Sequence, residues 1–222
     1  MDANNIYLEY IFDSSLGIIG TDRYVNAYKV AIYSEDHLHD PIKRTLIGKA
    51  ELSLVLLTLM RGQRIAYYTV FDNTQFLNEL GATVFDYETN NFREALLHQE
   101  GANSSNLLVI DRLELLPNWR KKSIGKKVIK DIIWRFSGCF GLVMLKAFPL
   151  QQEFQYADAQ KTGWQKEMKM TDFSQDEAFS NYKVFAYYRN LGFSQFENTD
   201  YFYMNSACIN DKFEAIELEG SW

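Results

Sequence analysis

The stretch that decides the fold is residues 107–148, which read LLVIDRLELLPNWRKKSIGKKVIKDIIWRFSGCFGLVMLKAF. Leu107–Leu115 is apolar enough for a buried strand, and Pro117–Ser123 has the residues of a turn. Apolar residues then recur at helical spacing and predict an amphipathic helix: Ile124, Val128, Ile129, Ile132, Ile133 and Phe136. Leu142–Phe148 is a second strand candidate. This order of strand, turn, helix and strand predicts an α/β fold with a mixed sheet.

The predicted elements continue on both sides of this stretch. Downstream, a helix closed by Gly192 and two short strands are expected: Glu177–Leu191, Phe193–Phe196 and Tyr201–Met204. Upstream, four strands and two helices are expected: Ile6–Phe12, Tyr24–Tyr33, Ile47–Met60 and Ile65–Phe71, then Asn73–Leu80 and Thr89–His98. No repeat or Pro/Gly/Ser-rich linker divides the chain. Residues 1–222 are therefore expected to form a single domain.

Composition narrows the class of protein. Hydrophobic residues make up 47% of the 222 residues, as in ordinary globular proteins. The net charge of −6 argues against a dedicated nucleic-acid binder, because such proteins carry a basic surface. Cys139 and Cys208 fit neither a disulfide framework nor a zinc site, and the longest apolar run, Leu52–Met60, is too short to span a bilayer. These features predict a cytoplasmic protein with no membrane or nucleic-acid partner.

One short loop has the residue types of a metal site. Asp36–Asp40 places His37 and His39 among acidic residues, and such a cluster can bind a divalent ion. A hydrophilic turn with the same residues is far more common, so no metal is expected.

The turn before the central helix has the features of an anion site. The helix begins near Ser123, and a helix N-terminus presents unpaired N–H groups and a positive dipole end. Small residues at Ser123 and Gly125 would let a phosphate approach the backbone. Basic side chains add positive charge in the same place: Arg120, Lys121, Lys122, Lys126 and Lys127. The alternative is a plain serine cap on a solvated corner, and the turn alone does not decide between the two.

Two segments resemble motifs of the GNAT family of N-acetyltransferases. Residues 120–125, RKKSIG, resemble the family's Arg/Gln-x-x-Gly-x-Gly/Ala motif, with Ser123 in place of the first glycine. In residues 181–193, NYKVFAYYRNLGF, an Asn is followed seven residues later by a Tyr and then by Gly-Phe, as in a second family motif. The resemblance covers about residues 107–205, and a polar insertion at 150–176 departs from the family pattern.

The resemblance implies a fold, a donor and site residues. The implied fold is a mixed, largely antiparallel sheet with flanking helices, whose fourth and fifth strands splay apart around acetyl-CoA. The backbone at Leu115 would orient the thioester, and the turn would hold the pyrophosphate through Arg120, Lys121, Lys122, Ser123, Ile124, Gly125 and Lys126. Asn181 would contact the cofactor, and Tyr188 would protonate the leaving thiolate as general acid. Because Ser123 replaces a glycine, a lower affinity for the cofactor is expected.

The implied function is transfer of an acetyl group from acetyl-CoA to an amine of a small molecule or protein, by direct attack. The alternatives are a noncatalytic acyl-CoA-binding or interaction module and an acyltransferase that uses a different donor. The general base stays open between Asp111, Glu114 and water, and the 150–176 insertion is either a lid or a passive loop. The expected partners are acetyl-CoA, an amine acceptor and, for a homodimer, a second copy of the chain.

Overall fold

A computed structural model of the chain describes residues 6–14, 20–37, 42–97, 104–156, 163–206 and 210–218. His39 and Cys208 lie outside these ranges. The ranges that the structure describes contain nine strands: β1 (Ile6–Phe12), β2 (Val25–Asp36), β3 (Lys43–Val55), β4 (Phe85–Asp86), β5 (Asn91–Phe92), β6 (Leu107–Leu115), β7 (Leu142–Lys146), β8 (Ser194–Gln195) and β9 (Tyr201–Asn205). The described helices are α1 (Leu57–Gly62), α2 (Tyr68–Phe71), α3 (Gln75–Val84), α4 (Glu94–Leu97), α5 (Ile124–Arg135), α6 (Leu150–Tyr156), α7 (Gly163–Glu167), α8 (Glu177–Asn190) and α9 (Asp211–Glu214).

Seven of the strands form one sheet in the order β1-β2-β3-β6-β7-β9-β8, and β4 and β5 form a separate hairpin. The only parallel neighbours among the described strands are β6 and β7, and every other pair is antiparallel. A parallel pair needs a crossover, which α5 supplies. The predicted fold class, a mixed and largely antiparallel sheet with flanking helices, is therefore confirmed.

Each face of the sheet is covered by helices. On one face, which we call the α5 face, Ile110, Leu145 and Phe202 pack with the apolar side of α5 and with the partly buried side chains of α8. On the other, the α3 face, Val109 and Met144 pack with residues of α1, α2, α3 and α4. Burial on both sides explains why the paired segments Leu107–Ile110 and Leu142–Leu145 are continuous apolar runs without alternation.

Several sequence-based boundaries were wrong, and the errors fall on short apolar runs. The run predicted as a strand at Ile65–Phe71 contains α2, and the strand predicted at Ile47–Met60 ends at Val55 before α1 begins. The helix predicted at Thr89–His98 is instead β5 followed by α4. Runs of this length fit a buried strand or a buried helical turn equally well, so tertiary packing decides between them.

The 150–176 insertion is more regular than its polar composition indicated. It contains α6, α7 and a 3-10 turn at Met170–Asp172, and Met168 is buried. The carbonyl of Ser174 accepts from Ser180 Oγ at 3.0 Å, and this hydroxyl also accepts from Gln151 at 2.9 Å, so the described ends of the insertion are joined. Among the described residues, no helix is both long and apolar enough to cross a bilayer.

Candidate active site

The central feature of the site is a split between β6 and β7. The two strands pair only from Leu107 with Leu142 to Ile110 with Leu145, while β6 continues to Leu115. Asp111 is an extra residue in β6, because Ile110 pairs with Leu52 and Arg112 pairs with the adjacent Glu51. Such a bulge bends a strand and often lies beside an active site. We call the opening beyond Ile110 and Leu145 the split, and it provides the predicted splayed strand pair.

Backbone groups of β6 face into the split. The N–H of Leu116 donates to the carbonyl of Ile47 on β3 at 2.8 Å. Because hydrogen-bonded and non-hydrogen-bonded pairs alternate in an antiparallel ladder, the backbone groups of Leu113 and Leu115 point away from β3. The Leu115 carbonyl accepts from Nε of Arg120 at 2.7 Å. The N–H groups of Leu113 and Leu115 therefore face the region that β7 leaves open.

The N-terminus of α5 lies at the edge of the same opening. Ser123 has a φ of 62° and makes no side-chain capping hydrogen bond, so a serine cap does not occupy the helix end. Gly125 is closely packed, because a Cβ there would lie 3.0 Å from Tyr187 Oη and 3.7 Å from Leu115 Cδ1. The first N–H groups of a helix lack partners within it, so those of Ile124 and Gly125 have the arrangement that an anion site needs.

Arg120 is turned inward at this corner. Its Nη2 donates to the carbonyl of Met168 at 2.6 Å, and the guanidinium lies 4.7 Å from the ring centroid of Phe173. Burial lowers the pKa of Arg120 below its usual range. With its Nε on Leu115, this arginine joins the turn to the insertion. The side chains of Lys121 and Lys122 are exposed and Lys126 is half-buried, so positive charge remains around the helix N-terminus.

Tyr188 lies beside the split on the α5 face. Its ring centroid is 6.0 Å from those of Phe193 and Phe202, and Phe202 pairs with Leu145, where β6–β7 pairing ends. Burial raises the pKa of Tyr188 to about 12, so its hydroxyl is protonated at neutral pH. Asn181 lies two turns earlier on the same side of α8. Gly192 ends this region with a φ of 95°, the left-handed conformation expected of a glycine after a helix.

Tyr187 occupies a different place from its neighbour. Its hydroxyl lies against Gly125 at the start of α5, and burial raises the pKa of Tyr187 above its usual range. The two rings are 5.2 Å apart at an interplanar angle of 75°. The spacing to Gly192 singled out Tyr188, and the structure places the two tyrosines at different parts of one opening.

Of the two carboxylates considered as a base, Glu114 is already engaged. It is buried, and its Oε2 accepts from the indole Nε1 of Trp164 at 2.6 Å. Its Oε1 accepts from Arg112 at 3.0 Å, and the same guanidinium reaches Glu153 on α6. Both oxygens of Glu114 thus hold the insertion and β6 together.

Asp111 is the freer carboxylate. Its side chain is exposed and makes no hydrogen bond or ion pair to any residue within the described ranges. Partial burial of the carboxyl, followed by the negative charge of Glu51, raises the pKa of Asp111 above its usual range. The residues whose charges shift the pKa of Asp111 lie on the α3 face, opposite Tyr188. The split thus has a protonated phenol on one face and a carboxylate with raised basicity on the other.

Sequence reasoning missed the residues that connect the insertion to β6. Arg112 and Glu114 are two residues apart, so strand alternation could have placed them on one face. Trp164 is the one tryptophan of the insertion, but nothing in its spacing pointed to Glu114. Its ring also lies 4.5 Å from Nζ of Lys49, which pairs with Glu114 across β3 and β6.

The structure describes only part of the loop that was considered as a metal site. His37 lies 3.4 Å from Glu35 through Nε2, and Leu38–Pro41 lie outside the described residues. Within the described ranges no three His, Cys, Asp or Glu side chains converge as a metal site would require.

Three solved structures resemble the chain in overall arrangement. One is the KacTA–DNA complex, at 11% identity and a TM-score of 0.42, with 94% of this chain and 99% of that chain covered. The second is a tyrosine-to-phenylalanine mutant of KacT, at 12% identity and a TM-score of 0.42, with 92% and 97% covered. The third is a tyrosine-to-phenylalanine mutant of the toxin AtaT bound to the C-terminus of the antitoxin AtaR, at 10% identity, a TM-score of 0.38 and 95% and 99% coverage. Because every TM-score is below 0.5, we transfer no residue role from these proteins.

The comparisons correct two predictions. No family model and no curated protein matches the chain, so the GNAT membership that the two motifs implied is withdrawn. Two of the similar structures are complexes, one containing DNA and one containing an antitoxin segment. The exclusion of nucleic acid, and the restriction of partners to acetyl-CoA, an amine and a second copy, were therefore wrong. The physical reason is that net charge does not describe any one surface of a protein.

Proposed function

We propose that the protein is an N-acetyltransferase that moves the acetyl group of acetyl-CoA to an amine by direct attack. One observation carries this proposal: the split exposes backbone N–H groups of β6 between a protonated Tyr188 and a free Asp111. An acyl transfer from a thioester needs an oriented carbonyl, a base for the amine and an acid for the sulfur. The split offers a group for each of these requirements.

The donor side of the proposal rests on the start of α5. A pyrophosphate would lie against the N–H groups of Ile124 and Gly125, with Lys121, Lys122 and Lys126 supplying positive charge. The rest of the donor would extend along the open side of β6, where the N–H groups of Leu113 and Leu115 would orient it. Arg120 has a positioning role, because its hydrogen bonds to Leu115 and Met168 hold the turn in place.

The chemistry follows from the two faces of the split. Asp111 accepts one proton from the ammonium group of the acceptor, and the lone pair that this frees forms the new C–N bond at the acetyl carbonyl, after which the nitrogen loses its second proton to solvent. The C–S bond breaks, and the sulfur takes the phenolic proton of Tyr188. The products are an acetamide and the free thiol, after which solvent restores both protonation states. We assign the base to Asp111 and not Glu114, since both oxygens of Glu114 are committed to other donors.

Calorimetry with acetyl-CoA and acetylation assays on an amine panel test the function. We expect binding by the wild type and weaker binding by Gly125→Ala, because the added methyl group meets the Tyr187 hydroxyl. Ser137→Ala, beyond the other end of α5, is the matched control. Acetyl-, succinyl- and long-chain CoA compared side by side identify the donor. Binding without turnover on any amine would overturn the enzymatic proposal and indicate a noncatalytic module.

The role of Tyr188 has its own test. Tyr188→Phe is expected to lower kcat by a factor of about 100, as loss of a general acid does, with the Kd for acetyl-CoA unchanged. Tyr187→Phe is the matched control on the same helix, with a kcat within about threefold of wild type. A larger loss of kcat in Tyr187→Phe than in Tyr188→Phe would reassign the acid to Tyr187.

A further inference from the structure

A groove on the α3 face begins next to the split. It has a volume of about 490 Å³ and lies between α3 and the turn before β9, with Glu79, Lys146, Asp200 and Tyr201 among its lining residues. Lys146 is the residue after Leu145, so it occupies the position across the split from the Asp111 bulge. Tyr201 pairs with Lys146 on the next strand. One end of the groove therefore lies across the split from the carboxylate assigned as base.

A second cavity of about 500 Å³ lies beside the groove, and Ala82 lines both. In this second cavity four carboxylates face a single guanidinium, that of Arg93: Asp86, Glu88, Glu94 and Glu197. In the first cavity the charge of Lys146 is neutralised by Glu79, whose Oε2 lies 2.8 Å from Nζ, and Asp200 remains. Both cavities thus have more acidic than basic lining residues.

A buried phenol provides an independent sign of a ligand. Tyr201 is only 5% exposed, and its hydroxyl has no hydrogen-bond partner among the described residues. A buried hydroxyl without a partner destabilises the fold, so native proteins rarely retain one without a functional reason. A ligand nitrogen in the groove would satisfy this oxygen. Negative charge alone is equally typical of a solvated acidic surface. The unpaired Tyr201 hydroxyl, in contrast, indicates where a polar atom of a ligand would bind.

We propose that this groove binds the acceptor, and that the acceptor is an aliphatic amine with at least one further cationic group. This inference rests on the proposed acetyl transfer and names its substrate class. The reacting nitrogen lies at Asp111, the Tyr201 hydroxyl accepts from an N–H of the same chain, and further ammonium groups face Asp200 and the second cavity. β7 lies between β6 and β9, so two strand spacings of about 4.8 Å place Asp111 and Tyr201 about 10 Å apart, a span that the outer nitrogens of spermidine can match.

Two readouts test this acceptor class, and the first needs no catalysis. Calorimetry with spermidine and no acetyl-CoA is expected to show binding to the full chain, weakened about threefold by Asp200→Asn and by Glu197→Gln, as for exposed ion pairs. Both side chains are exposed, so these substitutions leave the core intact. Glu214→Gln, an exposed carboxylate on α9, is the matched control with unchanged affinity. Equal spermidine binding by all four proteins, or no binding by the wild type, would overturn the inference.

The second readout is turnover. A kcat/KM about tenfold higher for spermidine than for n-butylamine is expected, and Asp200→Asn should remove much of this preference through KM. A lysine-containing peptide in the same panel distinguishes a protein acceptor from a free polyamine, since both carry the same chemistry. Turnover with equal kcat/KM for all amines overturns the acceptor class while the acetyltransferase stands. Spermidine binding without turnover on any amine leaves the groove intact and overturns the proposed function.

Discussion

The indole nitrogen of Trp164 donates to Oε2 of Glu114 at 2.6 Å and ties residues 163–173 to the open side of β6. Arg112 completes the arrangement by donating to the other oxygen of the same carboxylate. A buried carboxylate needs such partners, because leaving it unpaired would cost much of its hydration energy. The insertion is therefore part of the wall around the split, and Glu114 is a structural group there.

Trp164→Phe removes this donor while keeping a ring over Lys49. We expect the free energy of unfolding to fall by about 1.5–3 kcal/mol, as for a hydrogen bond to a charged group. Urea denaturation measures it, and Trp134→Phe is the matched control because Trp134 is 61% exposed on α5. The control is expected to change stability by less than about 0.5 kcal/mol. Equal losses in the two variants would contradict a specific role for the Trp164–Glu114 bond.

Ser123→Gly tests the left-handed backbone before α5. Serine at a φ of 62° is strained, whereas glycine adopts this conformation freely. We expect a gain of about 0.5–1 kcal/mol in the free energy of unfolding, after the extra chain entropy of glycine is deducted. Ser123→Ala should give no gain, because alanine has the same Cβ. A tighter Kd for acetyl-CoA in the glycine variant is also expected, and stabilisation by alanine would refute the backbone explanation.

Glu51→Gln tests the electrostatics of the proposed base. Partial burial and the charge of Glu51 raise the pKa of Asp111, so removal of that charge lowers it again. A general base acts in its deprotonated form. Because the pKa of Asp111 falls in this variant, the rise of kcat/KM on the acidic side of the pH profile should move to lower pH. The upper limb belongs to the amine of the acceptor and should stay in place. Asp13→Asn, exposed after β1, is the control, and an unmoved lower limb in Glu51→Gln would reassign the base.

Stability at high pH depends on the buried tyrosines. Burial raises the pKa of Tyr10, Tyr187, Tyr188 and Tyr201, while the same side chains ionise near pH 10 when unfolded. The folded state thus holds more protons above pH 10, and the free energy of unfolding is expected to be steady below this pH and to fall from pH 10 to 12.

Urea titrations at several pH values measure this fall. Tyr188→Phe should make it less steep, since one ionisable group that burial protects is gone. Tyr182→Phe, at a side chain that is 68% exposed, should leave the slope unchanged. An identical slope in wild type and Tyr188→Phe would contradict the burial of this phenol.

The sequence by itself determined the helices and strands that have a long hydrophobic pattern or clear start and stop residues. Leu107–Leu115 was predicted with the bounds that β6 has, and α5 and α8 were placed within one residue at each end. The reason is local: helical periodicity over three turns, a proline before the turn and a glycine after the helix act through neighbouring residues. The mixed sheet followed from the order of these elements.

Only the tertiary structure decided which side chains meet. The register of β3 on β6 makes Asp111 a bulge, and the docking of the insertion engages Glu114 and leaves Asp111 free. The groove at Tyr201 joins α3 to β9, more than a hundred residues apart in the chain. Contacts of this kind depend on long-range packing, which residue spacing does not encode, so the motifs led to the proposed donor side and the fold led to the proposed acceptor side.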